Sequence, residues 1–412
     1  MTPPDHPITR SPDSTDTLLR FRPEFPILES TTYLISNSLG AMPRAAARAL
    51  AEYTDTWATR GVRAWADGWW DMSVVVGDRI APLLCASPGS VSMLPNVTIA
   101  SAVVLSCPEY KPPRNRIVMI EGEFPSVRYV YESLATRLGA EIVVVPSPGG
   151  DGLSADEERI LAAIDERTAL VAISHVLFKS AFVLDVAPIA EKCRRVGAFL
   201  VLDAYQSVGT LPVSVEVLGA DMLVGGVLKW LCGGPGGAFL YVRPDLRVRL
   251  LPALTGWMAH PAPFDFEPPP MRYREDTFRF QLGTPAIPAL YAAREGSAIV
   301  AEAGIEAIRE KSLRQTSRLI ALAERRGWRC STPRDPARRG GTAAVDFENA
   351  LEVSRELNAR DVLVDYRPGV GIRLSPHFYT EDRELDEAFE AIDEIRAEGA
   401  WRRWQGRPSL VT

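Results

Sequence analysis

Between residues 117 and 242 the chain alternates short, branched apolar runs with segments of helical spacing, and this rhythm limits the fold more than any other feature. The runs are Ile117–Ile120, Glu141–Val145, Ala169–Ser174 and Phe199–Leu202; residues 126–138, 154–165 and 185–196 lie between them. Repeats of this kind build a mostly parallel, doubly wound α/β sheet with helices on both faces. Ligands of such sheets bind beyond the carboxyl ends of the strands, so the loops that follow these runs are where chemistry is expected. Gly237–Val242 reads as one more strand. Residues 261–275, which hold Pro261, Pro263, Pro268, Pro269 and Pro270, read as a non-helical crossing. Helices follow at about 286–303 and 305–327, then short strands, then a last helix near 382–398.

A chain of 412 residues is too long for one small core, so a large domain and a smaller α/β domain are expected. The division read from the sequence is 1–60 for an N-terminal arm and first helix, 61–285 for the large domain and 286–412 for the small one. Pro43 opens the first helix from a position where proline is tolerated. Lys and Arg total 46 against 52 Asp and Glu, a net charge of −6 that gives no basic footprint for nucleic acid or an anionic membrane. Cys85, Cys107, Cys193, Cys232 and Cys330 are odd in number and widely spaced, with no CxxC pair, which argues against a disulfide framework or a zinc site. His6, His175, His260 and His377 show no metal-binding spacing, and no G-x-S-x-G is present. The start of the chain lacks a signal-peptide pattern, and no apolar run has membrane-spanning length. The expectation is a reduced, cytoplasmic, soluble enzyme, without metal.

Asp203 ends the apolar run Phe199–Leu202, where a carboxylate is costly unless a cation partners it. Lys229 follows another apolar stretch and enters the glycine-rich loop Gly233-Gly234-Pro235-Gly236-Gly237. A desolvated lysine there can lose its proton and act as an amine nucleophile. A strand-end Asp with a loop Lys is the pair that pyridoxal phosphate requires, although a capping Asp and a surface Lys also read this way.

Further segments, in order along residues 33 to 380, resemble one family. They are Asn37-Ser38-Leu39-Gly40, Glu123-Phe124-Pro125-Ser126, His175-Val176, Asp203-Ala204-Tyr205-Gln206, Lys229-Trp230-Leu231-Cys232-Gly233-Gly234-Pro235-Gly236, Gly256-Trp257-Met258-Ala259-His260 and Ile372-Arg373-Leu374-Ser375-Pro376. Together they resemble the class V aminotransferase group of fold-type I pyridoxal phosphate enzymes, and within it the kynureninases. The resemblance implies a homodimer with sites at the subunit interface, and a small amino acid as substrate. It implies that Lys229 forms the Schiff base, Asp203 partners the pyridine nitrogen and Phe124 stacks on the ring. Asn96, Val97 and Thr98 match the turn and helix start that hold the phosphate, Trp257 an indole that reaches it, and Thr284 a loop that crosses to the partner's phosphate. Arg373 matches the arginine that grips the substrate α-carboxylate, with Asn37 and Ser38 on the substrate side.

Two positions depart from the kynureninase pattern. Leu228 stands where the family has a tyrosine just before the lysine, and Gln206 stands for a histidine. The amide of Gln206 can still hydrogen-bond the cofactor. The reaction implied is hydrolytic Cβ–Cγ cleavage of a kynurenine-type amino acid to alanine and an aromatic acid. β-Lyase, aminotransferase and epimerase chemistry share its first steps, and a non-catalytic binding module of the same fold is a different class. Cysteine desulfurase is disfavoured because residues 360–380 contain no cysteine nucleophile. Trp57, Trp65 and Trp69 are spaced to share one helical face, with Trp70 beside them, and read as packing rather than a substrate wall.

Overall fold

The computed structural model describes residues 16–407, so the first half of the expected polar arm lies outside the described residues. Its second half forms two 3-10 turns, Thr17–Glu24 and Pro26–Glu29. Phe21 and Phe25 pack edge-on against Phe378, and the Arg22 guanidinium makes bonds of 2.8 and 2.9 Å to Glu384, so this segment is fastened to the C-terminal part. β1 (Thr32–Tyr33) continues the attachment by pairing in parallel with a strand at Val362–Leu363.

α1 (Arg44–Arg60) starts directly after Pro43 and stops at Gly61, whose φ of 54° an L side chain rarely adopts. A 3-10 turn over Gly61–Trp65 follows, so Trp57 does not share a continuous helical face with Trp65 and Trp69, contrary to the spacing. Packing is nevertheless what Trp69 does: it is buried, stacks on Tyr53 at 5.4 Å, and donates its indole N–H to Tyr291 Oη at 3.1 Å. Trp57 is exposed.

After α2 (Met72–Ile80) come β2 (Val91–Leu94) and α3 (Val97–Leu105), and then the alternation read from the sequence. It runs β3 (Arg116–Ile120), α4 (Pro125–Leu138), β4 (Glu141–Val145), α5 (Glu157–Ala163), β5 (Thr168–Ser174), α6 (Ala187–Val196) and β6 (Phe199–Asp203). β7 (Met222–Gly226) and β8 (Ala238–Val242) complete a seven-stranded sheet of order β2-β8-β7-β6-β5-β3-β4. β8 runs antiparallel to both of its neighbours, and the remaining pairs are parallel. Pro125 opens α4 in its first turn, and Gly139 (φ 79°) and Gly197 (φ 72°) close α4 and α6 in the left-handed region.

The sheet divides two cores by its period-two alternation. Val118 and Ile120 of β3 face the core with α2, α5 and α6, whereas Ile117 and Met119 face the core with α3 and α4. β5 is buried along its whole length, as expected for a central strand covered on both faces.

α7 (Pro244–Arg247) leads to the irregular crossing, then to α8 (Ile287–Ala303) and α9 (Ile305–Arg325). The expected division places α8 in the second domain, but Ile287, Leu290, Tyr291 and Val300 fill the first core. A separate core begins at Leu319 within α9 and takes in Leu34. It lies between α9, α10 (Ala350–Ala359), α11 (Asp382–Glu398) and a four-stranded antiparallel sheet of β9 (Arg329–Cys330), β10 (Ala343–Asp346), β12 (Asp365–Arg367) and β13 (Gly371–Leu374). β11 (Val362–Leu363) is the strand that pairs with β1. No helix among the described residues is long and apolar enough to cross a membrane.

Candidate active site

The carboxyl ends of β5, β6 and β7 open onto one cavity lined by Val97, Phe124, Ser174, Val176, Phe178, Asp203, Tyr205, Gln206, Leu228 and Lys229. The sheet places Asp203 at the last position of β6 and Lys229 in the loop after β7, the adjacent strand. Asp203 is buried and accepts the Tyr205 backbone N–H at 2.8 Å. Burial raises its pKa, against the pull of that N–H and of Lys229. Burial likewise lowers the Lys229 pKa to about 8, with Asp203 opposing and Arg373 adding to the shift. The amine stands 4.5 Å from the centre of the Tyr205 ring and 5.4 Å from that of Phe124. Gly226 is required here, because a Cβ would sit 2.1 Å from the Tyr205 ring.

On the opposite side, Arg373 is buried in β13 and forks onto Asp365 of β12, with Nε donating at 2.7 Å and Nη2 also bonded. Its Nη1 donates to the Phe178 carbonyl. Oriented so that both ends are satisfied, the Asn37 amide donates to Ser375 Oγ at 2.9 Å and accepts from Arg373 Nε and Nη2 at 3.1 and 3.0 Å. Arg367 also reaches Asp365, at 3.1 Å, so one fully buried carboxylate serves two guanidiniums. Of the five guanidinium N–H groups of Arg373, those of Nε and Nη2 go to Asp365 and Asn37 and one on Nη1 goes to Phe178, leaving one Nη1 hydrogen for a ligand.

Of the residues expected from sequence, Val97, Phe124, Asp203, Gln206 and Lys229 line this cavity together. Gln206 is more committed than its sequence suggests. Its Nε2 donates to the Asn37 carbonyl at 3.0 Å and its Oε1 accepts the Trp230 indole at 2.9 Å, leaving one N–H. Asn96 caps α3 by accepting the Ile99 N–H at 3.0 Å. Ser38 is half-buried in the turn that follows Asn37. Asn37, Ser38, Asn96, Thr98 and Arg373 are not among its lining residues, and Trp257 and Thr284 lie in other parts of the surface. Trp257 packs edge-on against Trp70 at 5.3 Å and Phe264 at 5.6 Å, in an exposed aromatic group. Thr284 is exposed on a groove shared with Pro95, Gly236 and Gly283.

Sequence reasoning missed Tyr205, Ser174, Phe178 and Asp365. It also missed the role of Glu123, a buried carboxyl that accepts the Ser174 N–H at 2.8 Å and shares a 2.6 Å bond with Ser174 Oγ. A strand register would have found Asp365, which faces Arg373 across the β12–β13 hairpin.

The aminotransferase class-V family matches residues 33–366, which takes in the lysine, the strand-end aspartate and the capped helix start. The chain belongs to this family. Kynureninase from Pseudomonas fluorescens is 32% identical over 413 residues, covering 95% of this chain and 96% of its own. Kynureninase from Geobacillus thermodenitrificans (strain NG80-2) is 30% identical over 423 residues, covering 98% and 97%. Among solved structures, a cysteine desulfurase from Thermococcus onnurineus NA1 superposes with a TM-score of 0.79 at 20% identity, covering 92% of this chain and 98% of that one. A mutant of C-DES, with glycine covalently linked to its pyridoxal phosphate, gives 0.81 at 20% identity over 90% and 98%. These structural likenesses show the shared fold. This class V chain is a pyridoxal phosphate enzyme of the kynureninase-like group.

The residues present fit that cofactor. The Val97 and Thr98 N–H groups lie in the first turn of α3, where no intrahelical carbonyl reaches them, and Val97 lines the cavity; a helix start of this kind holds phosphate. Phe124 offers a ring face, Asp203 a buried carboxylate, and Lys229 an amine that is partly neutral near pH 7.

Proposed function

We propose that this enzyme cleaves the Cβ–Cγ bond of a kynurenine-type L-amino acid by hydrolysis, releasing alanine and an aromatic acid. The observation that supports this best is the facing arrangement of Lys229, Asp203 and Phe124 with Arg373 behind Phe178, in a chain 30–32% identical to kynureninases over nearly its full length. Bound pyridoxal phosphate supplies an aldehyde for the substrate amine and a ring that accepts electrons as bonds to Cα and Cβ break. Asp203 would keep a proton on the ring nitrogen, and Phe124 offers a ring to lie against the cofactor. Lys229 Nζ is the amine that would hold the cofactor's aldehyde, and when free it would take a proton from the substrate Cα and return it. The N–H groups of Val97 and Thr98 and the Thr98 hydroxyl hold phosphate. The remaining Nη1 hydrogen of Arg373 would take the substrate carboxylate, with Asn37 and Ser38 beside it. Leu228 adds an apolar wall and neither donates nor accepts a proton.

We infer a homodimer of the cytoplasm as the active form. Trp257, Phe264 and Phe266 are 40%, 63% and 78% exposed, and apolar groups of this size on one surface suit burial against a second copy. The Thr284 loop then completes the partner's phosphate site.

Leu228 favours a second reading, in which the same carbanion chemistry serves β-elimination or transamination of another amino acid. Incubating the reconstituted enzyme with L-kynurenine and a panel of amino acids, with products identified by mass, separates the two. Alanine with an aromatic acid supports the first reading. Pyruvate, ammonia or a keto acid as the sole product refutes it.

A further inference from the structure

Directly before Phe124, Glu123 is only 5% exposed, and no ion pair reaches it among the described residues. Both of its oxygens face Ser174: Oε1 accepts the backbone N–H at 2.8 Å and Oε2 lies 2.6 Å from Oγ. Ser174 is the residue of β5 in register with Asp203 of β6, and both line the cavity. The charged and titratable groups that face Glu123 are Asp203 from β6 and Arg128 and Tyr131 from α4. Arg128 is already paired with Glu132 at 2.5 Å. Two carboxyl groups thus sit under one cavity with little cation between them, an arrangement in which like charges cannot both ionise cheaply. Burial, opposed by the Ser174 bonds, brings the Glu123 pKa up to about 8.

We propose that Glu123 and Ser174 form a neutral pair that positions Asp203, leaving it the single negative charge on that side of the cavity. With Glu123 protonated, its Oε2–H donates to Ser174 Oγ, and the serine hydroxyl hydrogen turns toward the cavity floor where Asp203 lies. With Glu123 ionised, the serine donates back to Glu123 and that hydrogen is withdrawn. Glutamine reproduces the protonated arrangement, since its carbonyl accepts from the Ser174 N–H and its NH2 donates to Oγ.

This inference rests on Asp203 being the ring-nitrogen partner, and its test keeps the two ideas apart. The first measurement uses cofactor-free protein. A carboxyl whose pKa is raised on folding contributes stability that is full below its unfolded value, roughly 4.3, and is lost as pH rises through its folded value. Between pH 5 and 9 the wild-type thermal midpoint therefore falls more steeply than that of Glu123→Gln. The second measurement is pyridoxal phosphate affinity at pH 7. Glu123→Gln stays within about 3-fold of wild type, Asp203→Asn weakens binding by about 10-fold or more, and Ser174→Ala falls between them. An unchanged pH slope in Glu123→Gln overturns the proposal, as does a loss of affinity equal to that of Asp203→Asn. If Asp203→Asn itself binds the cofactor like wild type, the Asp203 assignment has failed instead, while the pH slope still reports on Glu123.

Discussion

Asp365 is a buried carboxylate whose loss would leave buried cations without a partner. It is fully buried and is bonded by the Arg373 fork, with Arg367 at 3.1 Å as a second cation on the same carboxylate. In Asp365→Ala, Arg373 keeps only the Phe178 carbonyl and the Asn37 amide, and two guanidiniums face one another without an anion. Breaking a buried pair in this way costs about 3–5 kcal/mol, because an uncompensated charge stays inside. Arg373→Met removes that charge as well, so the double variant Asp365→Ala/Arg373→Met is expected to regain much of the loss. Urea unfolding of the cofactor-free proteins, with the slope checked for constancy across variants, measures both quantities. A single-variant loss below about 1 kcal/mol, or a double variant as unstable as the sum of the two singles, refutes the view that Asp365 exists to hold Arg373.

Borohydride reduction of the loaded enzyme fixes the pyridoxyl group to Lys229, and Lys229→Ala loses both the link and nearly all turnover; peptide mapping to another lysine contradicts the site. The Lys229 pKa is lowered to about 8, so its burial penalty is present in full below that pH and is relieved as pH rises toward its unfolded value of about 10.4. Cofactor-free Lys229→Met is therefore more stable than wild type at pH 7, with the gap narrowing above pH 8; calorimetry showing it less stable at pH 7 refutes the desolvation argument. L-kynurenine turns over slowly in the wild type, and Leu228→Tyr raises that activity roughly 10- to 150-fold, the value of about 1.5–3 kcal/mol for one hydrogen bond to a charged group. Wild-type turnover on the order of 10 per second would remove the significance given to Leu228. Sedimentation at assay concentration is expected to show a dimer, and a fully active monomer contradicts the interface inferred from Trp257, Phe264 and Phe266.

The sheet was legible because its strands are short, branched apolar runs: β4 and α11 fall at the bounds read from the pattern, and the other βαβ elements differ by a few residues at their ends. The reversed direction of β8 was not, since an apolar run carries no mark of its polarity in the sheet. Lys229, Asp203 and Phe124 converge because each follows a strand of the same sheet end. Glu123 stayed hidden for a different reason. Its partner Ser174 is distant in sequence and meets it only through the sheet, and a carboxyl two residues from an exposed glutamate reads as surface. The shared tryptophan face failed at Gly61, where the backbone leaves the helix before Trp65.

The segment after β1 belongs mechanically to two bodies at once. Leu34 lies in the C-terminal core and Ile35 bridges to Ser375, which couples Asn37 and Arg373 to the smaller unit. Two residues on, the Asn37 carbonyl takes the Gln206 amide and the Gly40 N–H donates to the Leu228 carbonyl at 2.9 Å, both on the large sheet beside Lys229. Gly40 has no room for a side chain, since a Cβ would lie 2.1 Å from the Lys229 carbonyl oxygen. Any hinge motion of the smaller unit is thus levered through Asn37–Gly40, and Arg373 travels with its own support toward Lys229 or away from it. The position of Arg373 and access to the Lys229 amine are geared together by six residues of backbone, Ile35 to Gly40.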